Sequence, residues 1–197
     1  MYIKRDMEEI IVKQNQELIF PVIWTGKEKE LTYSVRLAER GAKITFLALL
    51  LGKNEESLDI KTTVIHDAED TKSEVIIKSA LNDYSYVNFE GLVKINHGAK
   101  KTNAWLAAHM LLLSKTARGR AIPSLEIIEN DIKAGHATTV GRVNALEMFY
   151  LTSRGLSEKS AKQLLVQGFL QSIVDRFPKK NQIIAAKQLQ KYGQKYL

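Results

Sequence analysis

The sequence contains no cysteine in its 197 residues. This absence excludes disulfide bonds, thiolate nucleophiles, cysteine-based zinc fingers and any cluster ligated by the chain's own thiolates. The remaining soft ligands are four histidines, and none of them is three or four residues from another, as a helical metal-binding pair requires. They are His66, His97, His109 and His136. Metal binding would therefore depend on single histidines and on carboxylates.

Long apolar runs are also missing. No run approaches the eighteen residues that a transmembrane helix needs, and the first residues, "MYIKRDMEEIIVKQNQ", lack the apolar segment of a signal peptide. The hydrophobic fraction of 45% and the charged fraction of 26% are ordinary for a globular protein with one core. We therefore expect a cytoplasmic protein that is not inserted in a membrane.

Acidic residues are outnumbered, 22 against 29 basic ones, which leaves a formal charge of +7. Part of the excess lies near the C-terminus, where five lysines occur without an acid: Lys179, Lys180, Lys187, Lys191 and Lys195. Such a segment is either a solvated helix face or a basic surface for nucleic acid or an acidic protein. Because aromatic residues are not interleaved with these lysines as base-stacking platforms, nucleic acid is the less favoured partner.

Signatures of catalysis are scarce. Gly135 and Gly141 have the wrong spacing for a nucleotide-binding loop, and neither GK[ST] nor GxSxG occurs. Two acidic clusters look like turn residues beside strands rather than the facing carboxylates of a glycosidase. The clusters are Asp67, Glu69 and Asp70, and Glu126, Glu129 and Asp131. The sequence predicts a protein that is not an enzyme, with a β-helix carbohydrate enzyme as a remote alternative.

The first two-thirds of the chain predicts strands. Short runs rich in β-branched, aliphatic and aromatic residues are separated by turn residues, and several alternate: Leu31, Tyr33, Val35 and Leu37 lie on one face of "ELTYSVRLA". The runs are "ELIFPVIW", "ELTYSVRLA", "AKITFLALLL", "SLDIKTTVIH", "SEVIIKSAL", "YSYVNFEGLVKI", "NAWLAAHMLLL" and "SLEIIEN". With no helical period between them, they indicate an all-β body.

A weak repeat suggests which β architecture this is. An A-x-x-T motif occurs in "GAKIT" (41–45), "DAEDT" (67–71) and "GAKKT" (98–102), with the alanines 26 and 31 residues apart. This period is too long for one hairpin and suits a solenoid whose coils carry two or more strands each. Chance matches in a threonine-containing β protein are the alternative explanation.

The last quarter of the chain has a helical period. Asn144 is a predicted N-cap, Arg154-Gly155 a helix stop, and Ser157 the cap of a second helix that Pro178 ends. "NQIIAAKQLQKYGQKYL" then predicts a third, basic amphipathic helix. We therefore predict a β body over residues 1–143 and a small α-helical region over residues 144–197.

Local sequence assigns modest roles to the histidines. His66 and His97 each end a strand-like run and are expected to cap turns, and His109 in "AWLAAHMLLL" is expected to point into the core. His136 lies in "IKAGHATTVG", where small neighbours and an adjacent glycine suggest an uncrowded imidazole in a turn. From these residues alone His136 is either a ligand or a turn residue.

The order of motifs resembles the SufB/SufD family of iron–sulfur cluster assembly proteins, and SufD more than SufB. The similarity runs from about Val64 to Phe177. It is carried by H-A-T-x-x-G at 136–141, F-Y-L-x-S-R-G-L-S at 149–157 and Gly168-Phe169, in that order.

This resemblance implies a right-handed parallel β-helix (solenoid) followed by C-terminal helices. It implies a scaffold that pairs through its β-helix with a SufB-like or identical subunit, and whose helices dock a SufC-like ABC ATPase. His136 matches the family histidine at the pairing surface, which makes it the candidate ligand for transient iron or an iron–sulfur cluster. The residues expected to bind the ATPase are Phe149, Tyr150, Arg154, Gly155, Leu156, Ser157 and Phe169.

Departures from the SufB type limit what this chain can do alone. Ala108 stands where we align the SufB cysteine, and Ala137 stands where SufB has a glutamate after the histidine. One imidazole cannot hold a cluster, so a cluster would be shared with a partner chain. The leading hypothesis is a non-catalytic, SufD-like scaffold, and the alternative is a basic binding module that acts through the C-terminal helix.

Overall fold

The structure is a computed structural model that describes residues 9–196, with side chains through residue 194. Within that range ten strands precede three helices. The strands are β1 (Ile10–Val12), β2 (Glu17–Trp24), β3 (Glu30–Leu37), β4 (Lys43–Gly52), β5 (Ser57–His66), β6 (Lys72–Leu81), β7 (Tyr86–Ile95), β8 (Thr102–Leu112), β9 (Arg118–Ile127) and β10 (Ile132–Arg142). The helices are α1 (Ala145–Ser153), α2 (Glu158–Val174) and α3 (Lys179–Tyr196).

The strands form two parallel sheets of five strands each. The odd sheet has the order β1-β3-β5-β7-β9, and the even sheet has the order β10-β8-β6-β4-β2. Because successive strands alternate between the sheets and pair in parallel with the strand two places along, each odd–even pair makes one coil of a solenoid. The predicted parallel β-helix with C-terminal helices is confirmed.

Each of the eight runs predicted as strands overlaps one of the strands β2 to β9, and the last run, "SLEIIEN", extends three residues beyond the end of β9. The alternation in β3 is also confirmed, because Leu31, Tyr33, Val35 and Leu37 belong to or pack against the core between the sheets. Two strands were missed. The first, β1, has only three residues, and β10 was predicted to be a turn.

The core between the sheets contains an aromatic cluster from the first coils. Phe46 is 1% exposed and stacks on Phe20 at a centroid distance of 5.6 Å, and Tyr33 meets Phe46 edge-on at 5.1 Å. Burial raises the pKa of Tyr33 to about 12, and the negative charge of Glu28 adds to this effect. Packing of this kind stabilises a solenoid coil through its neighbours rather than by itself.

The predicted A-x-x-T repeat is real at two of its three positions. The hydroxyls of Thr71 and Thr102 stack at 2.9 Å in successive coils, and each donates to the carbonyl of the alanine three residues before it. The first copy is out of register, because Lys43 pairs with Lys72 and so Thr45 pairs with Glu74. Thr45 therefore cannot join the threonine stack.

Helices α2 and α3 cover the outer face of the even sheet. A second apolar cluster joins Leu47, Leu49 and Leu51 of β4 to α2 residues such as Val166 and Leu170. On α3, the hydroxyl of the buried Tyr192 lies 2.9 Å from the carbonyl oxygen of Gly52 and 3.1 Å from that of Ala80. Among the described residues no helix is long and apolar enough to span a bilayer.

Two helix caps agree with the sequence. The Asn144 side chain accepts from the backbone N–H of Leu146 at 2.8 Å, and the Ser157 hydroxyl accepts from Ser160 at 3.1 Å. Gly155 follows α1 with φ of +94°, a conformation that glycine adopts freely. The predicted role of Pro178 was wrong. Helix α2 already ends at Val174, and Pro178 directly precedes α3, where its carbonyl accepts from Asn181.

Candidate functional site

The last strand, β10, closes the described solenoid. It pairs with β8 along its whole length and stands at the end of the even sheet, so its other edge has no strand partner within residues 9–196. The segment predicted to be a turn around His136 is therefore a strand, and this expectation was wrong. An unpaired parallel edge is a surface that another chain can extend by β-pairing.

His136 lies on the inner face of this terminal strand. It is in register with Leu106 of β8, which pairs with Val75 of β6, which pairs with Phe46 of β4, and these three side chains are buried. Residues paired across strands share a face of the sheet. No further coil covers β10 in the described part of the chain. His136 is therefore exposed, whereas the three residues in register with it on β8, β6 and β4 are buried in the core.

The glycine before His136 is required for packing rather than for a turn. Gly135 is in register with Trp105, and a Cβ at Gly135 would come within 2.6 Å of the Trp105 ring. The φ of Gly135 is not positive, which corrects the suggestion that the glycine permits a turn. The close approach of Trp105 therefore explains why the strand has glycine there.

The two alanines at the SufB-specific positions occupy different faces. Ala108 is fully buried on the inner face and pairs with Thr138, two residues along β10 from His136. Ala137 pairs with Ala107 on the outer face. No group of three or more histidine, cysteine or acidic side chains that could hold a metal occurs among the described residues. Iron bound at His136 would need ligands from another molecule.

His66 is a buried structural histidine at the end of β5. Its Nδ1 lies 2.8 Å from the Thr71 hydroxyl, and its Nε2 lies 2.8 Å from the Ser73 hydroxyl. Burial lowers the pKa of His66 to about 4, although the negative charge of Asp67 acts in the opposite direction. Its interactions tie the end of β5 to the turn before β6, in agreement with the turn role predicted for it. His97 lies exposed in the turn between β7 and β8.

The prediction that His109 points into the core was wrong. His109 is in register with Lys78 on the outer face of the even sheet, where its Nδ1 lies 2.9 Å from the Thr139 hydroxyl. Partial burial and the nearby charge of Lys78 both lower the pKa of His109. It thus links β8 to β10 on the outer face of the even sheet.

Lys78 anchors α2 to the β body, and nothing in its local sequence marks this role. Its ammonium donates to the carbonyl of Phe169 at 2.8 Å and to the Ser172 hydroxyl at 2.6 Å. It also lies 4.4 Å from the centre of the Phe169 ring. Burial lowers the pKa of Lys78. Contacts that join residues 91 and 94 positions apart cannot be found from spacing along the chain.

Helix α1 presents an apolar surface that the rest of the described chain leaves exposed. None of its residues is buried, and Leu146, Phe149 and Tyr150 are 78%, 70% and 58% exposed. The Arg154 guanidinium lies 5.3 Å from the Tyr150 ring centre. Exposed aromatic and arginine side chains of this kind are enriched in protein–protein interfaces.

The other residues predicted to bind a partner have structural contacts. Gly155 supplies the positive φ after α1, Ser157 caps α2, and Leu156 is half-buried with its N–H bonded to the Leu151 carbonyl. Phe169 is partly buried, because it packs on the second apolar cluster next to the Lys78 ammonium. The exposed part of the predicted dock is therefore α1, with Phe149 and Tyr150 at its centre.

Five of the six acids in the two clusters lie between strands, as their sequence suggested, whereas Glu126 lies in β9 and pairs with Lys94. Asp67 pairs with Arg36 and accepts from Asn96, and Asp70 pairs with Arg40. Glu129 accepts backbone N–H groups of Gly98, Asn130 and Asp131, and these bonds lower the pKa of Glu129. The carboxylates of Asp67, Asp70 and Glu129 are thus engaged by neighbouring strands and turns of the solenoid.

Comparison with known proteins places these features in one family. Residues 9–169 match the family model described as "SUF system FeS cluster assembly, SufBD core domain". The chain is 37% identical over 130 residues to the iron–sulfur cluster assembly protein SufD of Bacillus subtilis, a match that covers 66% of this chain and 30% of that protein.

Two further relatives give the same result. SufD of Escherichia coli is 28% identical over 142 residues, which cover 72% of this chain and 34% of the relative. The SufBD family protein slr0076 of Synechocystis is 29% identical over 166 residues, which cover 84% of this chain and 37% of the relative. The chain thus spans about a third of the length of these relatives.

Proposed function

The chain belongs to the SufBD family of iron–sulfur cluster assembly proteins, and from this premise we propose that it is a non-catalytic, SufD-like scaffold subunit in the cytoplasm. The observation that carries the proposal is the family match over residues 9–169, which spans all ten strands, α1 and most of α2. The experiment that tests it is co-assembly with a SufB-like protein and an ABC-type ATPase.

The partner β-helix subunit would bind at the end formed by β9 and β10. There the unpaired edge of β10 is accompanied by exposed apolar side chains: Ile127, Ile128 and Val140 are 43%, 56% and 43% exposed. Apolar residues beside free backbone N–H and C=O groups favour strand addition by another chain. The partner is a SufB-like protein or a second copy of this chain.

His136 would contribute one imidazole nitrogen to transient iron or to a nascent cluster at this pairing surface. It is exposed on the inner face of the last coil, next to the edge that the partner would cover. Neutral imidazole is a suitable ligand for iron, and the cluster, which is cargo here, needs further ligands from the partner. A SufB-like subunit can supply the thiolate that this chain lacks.

Replacing His136 with alanine should lower the iron affinity of the paired complex about tenfold or more, because a ligand is lost while the strand remains. The measurement is the iron and acid-labile sulfide content of the purified complex, with its visible absorption. His97→Ala removes an exposed turn histidine and serves as the control. Unchanged iron and sulfide in the His136→Ala complex would remove His136 from the proposal.

The ATPase would dock on α1. The double variant Phe149→Ala/Tyr150→Ala should weaken its binding about 30-fold or more, because buried interface aromatics contribute at least about 2 kcal/mol in favourable cases. Titration calorimetry with the purified ATPase gives the dissociation constant. Tyr84→Ala, which removes a 65% exposed tyrosine in the turn before β7, is the matched control. Equal affinities for the double variant and the control would exclude α1 as the dock.

A second candidate function rests on α3. Its outer side carries exposed Lys180, Lys187 and Lys191 together with Ile183 and Ile184, which are 62% and 41% exposed. The side chain of Lys195 lies outside the described residues. A nucleic-acid or acidic-protein ligand on this side would bind with an affinity that falls steeply with salt. Absence of a salt-dependent shift with DNA, RNA or an acidic peptide would exclude this function.

A further inference from the structure

A small basic cavity lies where the β body meets the helices. Its volume is about 280 Å³, and it is lined by the end of β8 and the following turn, by the end of β10 and by α2. The lining residues are Leu112, Leu113, Ser114, Lys115, Arg142, Val143 and Lys162. Three of these seven side chains are cationic and none is acidic. The three cations come from three separate elements that only the fold brings together.

The contacts around the cavity leave these cations without a carboxylate. The Lys162 ammonium donates one hydrogen bond to the Leu113 carbonyl at 3.0 Å. This bond fixes the ammonium at the edge of the cavity, and its other two N–H groups can donate to a ligand. No ion pair of Lys115, Arg142 or Lys162 occurs among the described residues. Asp83, in the adjacent turn, does not line the cavity, and its carboxylate accepts the N–H of Asn54 at 2.9 Å.

Neutral groups in the cavity are already engaged. The Ser114 hydroxyl donates to the Asp83 carbonyl at 2.6 Å and accepts from the Ala117 N–H at 3.0 Å. The free donors that face a ligand therefore belong to charged groups. Like charges gathered in one concavity repel each other, and an anion that contacts all three would relieve that repulsion.

We propose that this cavity binds a phosphate-bearing anion of about the size of diphosphate. The Arg142 guanidinium offers a fork of donors that matches phosphate oxygens, and the ammonium groups of Lys115 and Lys162 add two positive point charges. The cavity is small and open to solvent, with a volume of about 280 Å³, so it has room for phosphate groups. This site does not depend on the proposed Suf function.

The test is a titration of the full chain with sodium diphosphate, inorganic phosphate and ADP at low ionic strength, followed by calorimetry and amide NMR. We expect saturable binding of diphosphate, weaker binding of phosphate, and ADP no tighter than diphosphate, with shifts at Lys115, Arg142 and Lys162. Lys115→Gln and Arg142→Gln should each weaken diphosphate binding about tenfold, the effect of losing one charge-assisted contact. ADP that binds ten times more tightly than diphosphate would overturn the assigned ligand class.

Charge-matched variants separate a site from general attraction to a basic protein. Lys29→Gln and Arg118→Gln remove one exposed cation each outside the cavity, and both should keep wild-type affinity. Lys115→Gln is not expected to disturb folding, because Lys115 makes no hydrogen bond or ion pair among the described residues, whereas Lys162 donates to the Leu113 carbonyl. Linear, non-saturating titrations, or an equal loss in cavity and control variants, would overturn the proposal.

Discussion

Replacing Phe46 with alanine is expected to lower the free energy of unfolding by about 3–5 kcal/mol, the range for deleting a buried aromatic ring. Phe46 is 1% exposed and touches two other rings, Phe20 at 5.6 Å and Tyr33 at 5.1 Å between centroids. The loss combines the transfer of the ring to water with a cavity that the two sheets, held by continuous ladders, cannot close.

Denaturant unfolding followed by circular dichroism measures this effect. The matched control is Phe149→Ala, which removes the same side chain from a position that is 70% exposed and should change stability by no more than about 0.5 kcal/mol. A loss below about 1 kcal/mol for Phe46→Ala would mean that the first coils are not packed as described. Such a result would also contradict the solenoid packing on which the position of β10 depends.

Stability should fall by up to about 3 kcal/mol as the pH is lowered from about 6.5 to 4, through His66 alone. Burial holds the pKa of the folded imidazole at about 4, against 6.5 for an exposed histidine. The unfolded chain therefore takes up a proton in this range while the folded chain does not, and each pH unit contributes about 1.4 kcal/mol. The contribution of neutral His66 is complete above pH 6.5 and is lost as the pH falls towards 4.

The measurement is the free energy of unfolding at several pH values for the wild type and for His66→Gln. Glutamine keeps a polar side chain beside Thr71 and Ser73 but does not titrate, so its stability should vary less between pH 6.5 and 4. The variant His97→Gln removes an exposed histidine and should keep the wild-type slope. Identical slopes for His66→Gln and the wild type would contradict the buried, neutral state of His66.

The strands were predictable where one face is buried and the other is exposed to solvent, as in β3 and β5. That signal weakens in β8, because helices cover the outer face of the even sheet and both faces of "NAWLAAHMLLL" are partly apolar. His109 was therefore assigned to the wrong face. Strand β10 was missed because the end of the solenoid leaves its residues largely exposed, so that alternation is lost.

The candidate site was only partly accessible from sequence. Local pattern gave His136 no clear role, and its assignment came from the order of motifs that resembles the SufB/SufD family. The exposed aromatic surface of α1 follows from the same motif. The Lys78 anchor and the basic cavity could not be predicted, because their residues are about 20 to 94 positions apart in sequence and only the solenoid and the covering helices bring them together.

Whether the chain works as a Suf subunit is tested most directly by mixing it with a purified SufB-like protein and an ABC-type ATPase of the same genome. The molar mass of the product is then measured by light scattering during size-exclusion chromatography. We predict a stable particle that contains all three chains and that loses the ATPase when Phe149 and Tyr150 are replaced with alanine. Three separately eluting proteins would contradict the proposed role.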